Sequence, residues 1–111
     1  MNNVVFCHAT PRQFQDIEHN EDGSLLWGRP SKKIFEYGYR HVSGQKVVCG
    51  HTNIGETPVV LGNLLMIDTG CGKGGVLTAV EIKQMLCYQI NSELAVGAFN
   101  LPQHSFFLIT H

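Results

Sequence analysis

The feature that most constrains the fold is a pair of short apolar segments, each leading to a histidine. Residues 4–7 (Val-Val-Phe-Cys) run directly into His8, and residues 46–49 (Lys-Val-Val-Cys) reach His51 through one glycine. A third apolar segment, at 64–67, ends instead in Asp-Thr-Gly. Apolar runs of this length are typical of buried strands. Because neighbouring strands fix the side chains at their ends, the pattern predicts a metal site with imidazole ligands.

The remaining segments predict further strands and little helix. Residues 11–17 are expected to form one or two helical turns, and Ser31 is expected to cap a helix of about ten residues. Five other segments are strand-like in composition, namely 59–61, 76–82, 85–90, 94–99 and 106–110. Short turns are expected between neighbouring strands. The sequence therefore predicts a strand-rich α/β fold of the α+β kind.

Four ordered motifs resemble the C-terminal half of the calcineurin-like metallophosphoesterases, which include Ser/Thr protein phosphatases of bacterial and lambda-phage type and diadenosine tetraphosphatases. They are Val-Phe-Cys-His-Ala at 5–9, Leu-Trp-Gly-Arg at 26–29, Val-Cys-Gly-His-Thr at 48–52 and Ile-Asp-Thr-Gly-Cys at 67–71. The resemblance covers residues 4–90, and residues 91–111 are a divergent tail. It implies one partial domain over 1–111, the C-terminal half of the family's β-sandwich with flanking helices.

The resemblance implies roles for four residues. His8 and His51 match the histidines that complete the second metal of a binuclear centre. Arg29 matches an arginine that clamps phosphate oxygens with its planar guanidinium group. Asp68 matches an aspartate that lies behind the ligands and orients neighbouring groups. Trp27 is expected to pack rather than bind. The implied metal is divalent, with manganese first and iron, zinc or nickel as alternatives that imidazole also accepts.

The motifs of the family's first half do not occur in these residues, which contain no Asp-x-His, Gly-Asp-x-x-Asp-Arg-Gly or Gly-Asn-His-Glu. The chain is therefore expected to be half of an enzyme, as a fragment, a truncated reading frame or the product of a degraded gene. Two imidazoles are too few for a closed metal site, so the binuclear centre is expected only in the intact protein. The isolated chain is expected to be inactive or nearly so.

For the intact protein the resemblance implies hydrolysis of a phosphorylated substrate. Protein dephosphorylation is the first expectation, and hydrolysis of diadenosine tetraphosphate is the alternative. Two positions depart from the family pattern: Lys73 replaces an apolar or aromatic residue, and Asn53 replaces a proline that often follows Gly-His-Thr. These departures bear on the substrate class rather than on the fold.

Composition argues against two classes of partner. The net charge is −1, with acidic and basic residues interspersed, so no basic surface for nucleic acid is expected. The longest apolar run, at 59–67, is interrupted by Gly-Asn and is too short to cross a membrane. No charged and then apolar leader begins the sequence, and the cytoplasm is the expected location.

Two alternatives remain open. The first is a non-catalytic interaction domain or a relic, in which the apolar face left exposed by half a sandwich mediates self-association. The second is a structural zinc site of Cys7, His8, Cys49 and His51. Strand alternation argues against the zinc site, because successive side chains point to opposite faces of a sheet.

The other cysteines and histidines are expected to be structural or solvated. The four cysteines lack a disulfide framework and are expected to be free, buried thiols, with Cys7 in the core. Four histidines lie in polar or terminal contexts and are expected to be solvated: His19, His41, His104 and His111.

Overall fold

The structure is a computed structural model, and it describes residues 4–20, 23–91, 93 and 96–101. Within these residues the chain forms seven strands in two sheets and two short α-helices. The strands are β1 (Val4–Cys7), β2 (Lys46–Cys49), β3 (Val59–Leu61), β4 (Leu64–Met66), β5 (Leu77–Glu81), β6 (Leu86–Ile90) and β7 (Val96–Asn100). The helices are α1 (Ser24–Trp27) and α2 (Lys32–Tyr37). The prediction of a strand-rich α/β fold is confirmed.

The first sheet has the strand order β1, β2, β4, β3. Its first three strands are parallel, whereas β3 is antiparallel to β4 and joins it through Gly62 and Asn63. Cys7 lies opposite Cys49, and Cys49 lies opposite Met66, so the three parallel strands end level with one another. The residues that follow these strands therefore emerge at one edge of the sheet, where ligands bind in many open α/β sheets.

Both faces of this sheet are covered by apolar packing. One face packs against α2 and the segment after it, in a cluster of Ile34, Tyr39, Val47, Cys49, Leu64 and Met66. The other face packs against the second sheet, in a cluster of Val48, Leu65, Met85, Cys87 and Leu101. Burying one such aliphatic side chain stabilises the fold by about 1.5–3 kcal/mol. The parallel sheet is therefore the central layer of the molecule.

The second sheet is antiparallel, in the order β5, β6, β7. β5 and β6 form the hairpin expected from the sequence. The strand predicted at 94–99 is found at Val96–Asn100, where it pairs with β6. The strand predicted at 106–110 lies outside the described residues, as do His104 and His111.

The helix α2 is shorter than the sequence predicts. It has six residues instead of about ten, and it is followed by Gly38, whose φ is 87°. Beyond it, Tyr39 donates its backbone N–H to the Leu61 carbonyl (3.0 Å) and accepts a hydrogen bond from the Asn63 N–H (2.8 Å). This pairing with the β3–β4 turn occupies backbone groups that a longer helix would use. Neither helix of the described chain is long and apolar enough to cross a membrane.

The helical turns predicted at 11–17 are not formed. This segment is a loop that leads into a 3-10 turn at Ile17–His19. The Asn20 side chain takes up its backbone groups: Oδ1 accepts a hydrogen bond from the Arg12 N–H (3.0 Å), and Nδ2 donates to the Arg12 carbonyl (3.2 Å). Asparagine side chains compete with helical hydrogen bonds in this way, and the loop is the result.

The histidine at position 41 is buried, and the prediction that it is solvated is wrong. Its exposed fraction is 3%. The Nε2 atom lies 2.6 Å from the Gln15 carbonyl oxygen, and Nδ1 accepts a hydrogen bond from the Ser43 N–H (3.1 Å). The imidazole of His41 thus ties the 11–17 loop to the segment after α2. By contrast, the His19 side chain is 79% exposed, as predicted.

Candidate functional site

The two histidines predicted as ligands meet at the edge where the parallel strands end. His8 directly follows β1, and His51 follows β2 after Gly50. The Gly50 N–H donates to the His8 carbonyl (2.9 Å), which extends the pairing of the two strands by one step. The centres of the two imidazole rings are 5.2 Å apart, and the ring planes are tilted by 52°. The arrangement can present two ring nitrogens to one ligand.

The backbone of His51 adopts a conformation that L-residues rarely accept. Its φ is 67°, and the Thr52 N–H donates to the Gly50 carbonyl (2.8 Å), closing a three-residue turn around the histidine. A non-glycine residue in this region costs about 1–3 kcal/mol and is found most often at functional sites. This turn holds the histidine whose ring lies 5.2 Å from that of His8.

The indole of Trp27 contacts the same histidine. Its ring centre lies 5.6 Å from that of His51, with the ring planes at 84° in an edge-to-face arrangement. Trp27 is nevertheless 71% exposed. Trp27 therefore packs, as expected, but it does so against the candidate metal ligand His51 at the surface and not in the hydrophobic core.

A close contact between α1 and the residues after His8 positions Arg29. The Ala9 N–H donates to the Leu25 carbonyl (3.0 Å), and the Thr10 N–H donates to the Gly28 carbonyl (3.1 Å). A Cβ atom at Gly28 would lie 2.2 Å from the Thr10 carbonyl oxygen, so a side chain cannot be accommodated here without a shift of the backbone. Arg29 follows this contact and is thereby held beside the strand edge.

A cavity of about 290 Å³ at this edge is lined by Arg29, His51, Asn53, Asp68 and Lys73, together with Gly70 and Gly72. The structure therefore brings three of the four predicted site residues to one cavity, and the fourth, His8, joins it through its ring contact with His51. Asp68 Oδ1 accepts a hydrogen bond from the Gly70 N–H (3.0 Å). The carboxylate thus orders the loop of the cavity wall.

The loop that carries Lys73 is tightly closed. The Gly70 carbonyl accepts hydrogen bonds from the N–H groups of both Lys73 (2.9 Å) and Gly75 (2.8 Å). A Cβ atom at Gly75 would lie 2.6 Å from the Thr69 carbonyl oxygen, which explains the glycine there. The sequence did not identify Lys73 and Asn53 as members of the site. The signal that could have identified them is that both positions depart from the pattern of the metallophosphoesterases that the sequence resembles.

The metal site expected from the sequence is not complete in the described residues. Within the described part of the chain, no three His, Cys, Asp or Glu side chains lie close enough together to hold a metal ion. Two imidazoles are chemically suitable ligands, but a closed tetrahedral site needs four. Cys49 is buried in the cluster on the α2 side of the sheet, and Cys7 packs against that cluster. The alternative of a four-residue Cys/His zinc site is therefore not supported.

A second cavity, of about 420 Å³, lies between the 10–15 segment and the region from α1 to α2. Its wall includes Arg12, Phe14, Ser24 and Arg29. Arg29 is thus shared by both cavities. No motif in the sequence indicated this cavity, because the cavity depends on the loop at 11–17, which was expected to be helical.

The cysteines are free thiols, as expected, but they do not share one environment. Burial raises the pKa of the thiols of Cys7, Cys49 and Cys87 above the ordinary value. Cys71 is exposed, in contrast to the prediction, because it begins a 3-10 turn in the glycine-rich loop.

Comparisons with protein-family models, curated proteins and solved structures found no match to this chain.

Proposed function

We propose that this chain is the C-terminal half of a metal-dependent phosphoester hydrolase of the Ser/Thr protein phosphatase type. One observation carries the proposal: the imidazoles of His8 and His51 lie 5.2 Å apart at the end of two adjacent parallel strands. Arg29 lines the same cavity as His51. Two imidazoles beside a guanidinium group are suited to binding a metal ion and a phosphate together.

Each side chain has a distinct part in this proposal. His8 and His51 contribute nitrogens to one divalent ion, with manganese as first choice and iron, zinc or nickel as alternatives. A bound ion of this kind supplies Lewis-acid activation of the phosphoryl group. Arg29 binds the phosphoryl oxygens through its planar donors. Asp68 orders the adjacent loop, and Trp27 limits the rotation of the His51 ring.

The remaining metal ligands come from a partner segment in this proposal, and the chain alone is inactive. The four-motif resemblance and the incomplete ligand set both support this division. Among substrates, a phosphoprotein is preferred and diadenosine tetraphosphate is the alternative. Comparing the two rates in the intact enzyme distinguishes these substrates.

Titration of the chain with Mn²⁺ and Zn²⁺ by calorimetry tests the metal proposal. We expect weak binding with one site, which is lost in both His8→Ala and His51→Ala. His19→Ala is the matched control, because the His19 side chain is 79% exposed and lies in a different part of the chain. Unchanged metal binding in the two site variants would contradict the proposal.

A second candidate function is that of a non-catalytic interaction domain. It is favoured by Phe6, which is 67% exposed on β1, the outermost strand of the parallel sheet in the described residues. An apolar edge strand is a template for association with another chain. If this function is correct, light scattering should detect a stable oligomer whose size does not change when manganese or a chelator is added. The Phe6→Lys variant should be monomeric. Tyr37→Lys is the control, since Tyr37 is 82% exposed on α2.

A further inference from the structure

We propose that Lys73 is a second phosphate-binding residue, which acts beside Arg29. Thr69 and Gln89 are positioning residues in this proposal, because they hold the loop of Lys73 in place from the second sheet. The inference rests on the proposed function, since it takes the cavity beside His51 as the phosphoryl site. It adds to that site one cation and the hydrogen bonds that fix it.

Lys73 lines the same cavity as Arg29 and His51. Its ammonium group is a compact charge with three donors, which binds phosphate oxygens without the fixed fork of a guanidinium group. Asp68 is the carboxylate of the same wall, and it accepts a hydrogen bond from the Gly70 N–H. Within the described residues, Asp68 forms no ion pair with either cation. Two different phosphate-binding side chains therefore share one cavity.

The loop that carries Lys73 needs support from outside itself. Four of the six residues at 70–75 are glycine. Glycine loses more conformational freedom than any other residue when a chain becomes ordered. A lysine on such a loop binds a ligand well only if the loop is fixed before the ligand arrives.

A chain of hydrogen bonds from β6 supplies this support. The Gln89 Nε2 donates to Thr78 Oγ1 (3.0 Å), and the hydroxyl oxygens of Thr78 and Thr69 are 2.6 Å apart. The Thr69 hydroxyl donates to the Val76 carbonyl (2.6 Å), across the base of the loop. Because a carbonyl only accepts, the one proton of Thr69 is used there, and Thr78 donates to Thr69. Thr69 is 5% exposed, so water does not replace these bonds.

The same glutamine also holds the opposite wall of the cavity. The Gln89 Nε2 donates to the Glu56 carbonyl (2.6 Å), in the segment that leads from His51 to β3. An amide nitrogen has two hydrogens, so it can make both bonds. The two walls meet again where the Ile54 N–H donates to the Asp68 carbonyl (3.1 Å). The hydrogen bonds of Gln89 thus set the separation of the segments that carry His51 and Lys73.

Calorimetric titration of the metal-free chain with inorganic phosphate at low salt tests the role of Lys73. We expect Lys73→Met to weaken phosphate binding about tenfold, through the loss of a charge-assisted hydrogen bond. Lys33→Met is the matched control, because Lys33 is exposed on α2 and lines neither cavity. Phosphate affinity that is equal in the two variants would overturn the proposal.

The positioning residues are tested by a conservative pair of substitutions. Thr69→Val should weaken phosphate binding about fivefold, whereas Thr69→Ser keeps the hydroxyl and should bind as the unmodified chain does. Gln89→Met should act like Thr69→Val and does not touch the buried hydroxyl. Affinity for Mn²⁺ should be unchanged in all three variants, because the parallel sheet holds the two histidines.

Amide hydrogen exchange tests the positioning without any ligand. The N–H groups of Lys73 and Gly75 both donate to the Gly70 carbonyl. In Thr69→Val we expect them to exchange about fivefold faster, while the Val47 N–H in β2 exchanges at the same rate as before. Equal acceleration at all three positions would mean general destabilisation and would overturn the positioning role.

Failure of the inference is separable from failure of the proposed function. If phosphate binding is lost in Arg29→Met but unchanged in Lys73→Met and Thr69→Val, the inference is wrong and the phosphoryl site stands. If the unmodified chain binds no phosphate, the inference is overturned, and the metal titration decides on the histidines separately. If phosphate binds through Lys73 while metal titration detects no role for His8 and His51, the inference stands without the hydrolase.

Discussion

The two sheets of this molecule differ in burial and in what they contribute to the candidate site. Every residue of β2 and β4 is buried, whereas β5 alternates between exposed and half-buried residues and β7 is exposed throughout. The parallel sheet also carries His8 and His51 at its edge, while no residue of β5, β6 or β7 lines the cavity beside His51. β2 is buried on both faces and therefore fixes the turn at His51 more firmly than a half-exposed strand would, whereas β1, which precedes His8, is itself half-buried to exposed. The second sheet acts as a cover for the first.

The largest expected difference between the sheets is in the free energy of unfolding that is lost when a leucine is replaced by alanine. Leu65 of β4 is fully buried, whereas Leu77 of β5 is 54% exposed. We expect Leu65→Ala to lower the free energy of unfolding by about 2–5 kcal/mol, through lost burial and the cavity left behind. Leu77→Ala should cost less than about 1 kcal/mol. Urea denaturation followed by circular dichroism measures both, and equal losses would contradict the division into core and cover.

A smaller effect is expected from adding one methyl group at a glycine. Gly28→Ala forces the new Cβ against the Thr10 carbonyl oxygen, 2.2 Å away, and we expect a loss of about 1–3 kcal/mol. The same change should loosen Arg29 and weaken phosphate binding. Gly97 of β7 is the matched control, because a Cβ there meets no atom within 4 Å. A Gly28→Ala variant as stable as Gly97→Ala would show that α1 does not hold Arg29 in place.

Strain at the site provides the third comparison, because two non-glycine residues in the described part of the chain have a positive φ, one beside each sheet. His51 has a φ of 67°, and Met85, before β6, has a φ of 53°. Met85 is fully buried, so Met85→Gly should be strongly destabilising. His51 is half-buried, and His51→Gly should exceed His51→Ala in stability by about 1 kcal/mol, because glycine accepts this conformation without strain. Thermal unfolding of the three variants checks this order of stabilities. If His51→Ala is more stable than His51→Gly, the backbone at His51 is not strained.

The smallest effect concerns the buried thiols. Burial raises the pKa of Cys49 above its ordinary value of 9.0, so the unfolded chain loses this proton at a lower pH than the folded chain. The contribution of Cys49 to stability is complete below pH 9.0 and is lost as the pH rises toward the raised pKa. The urea concentration at the unfolding midpoint should therefore decrease as the pH rises above 9.0, and we expect a smaller decrease in the Cys49→Ala variant. The exposed Cys71 should be alkylated first in the native protein, and equally rapid modification of Cys49 would contradict its burial.

The strands were predictable from sequence, and the loops between them were not. Apolar runs bounded by glycine or polar residues predicted β1, β2 and β4 together with the histidines that follow, since the composition of such a run favours a strand. The expected burial is found in β2 and β4, whereas the residues of β1 are half-buried or exposed. The 11–17 loop was predicted as helical turns, because its composition tolerates helix and the bonds that override it come from Asn20, Tyr39 and His41. The burial of His41 was missed for the same reason.

The sequence by itself determined which residues form strands and that two histidines follow two of them. Only the tertiary structure decided that these strands are adjacent and end level, that Arg29 and Lys73 line one cavity with His51, and that Arg12 joins Arg29 in another. The physical reason is the range of the interactions. Strand formation depends on the burial preferences of residues that are neighbours in the sequence. The cavities depend on hydrogen bonds and close contacts between distant segments, such as that between Thr10 and Gly28.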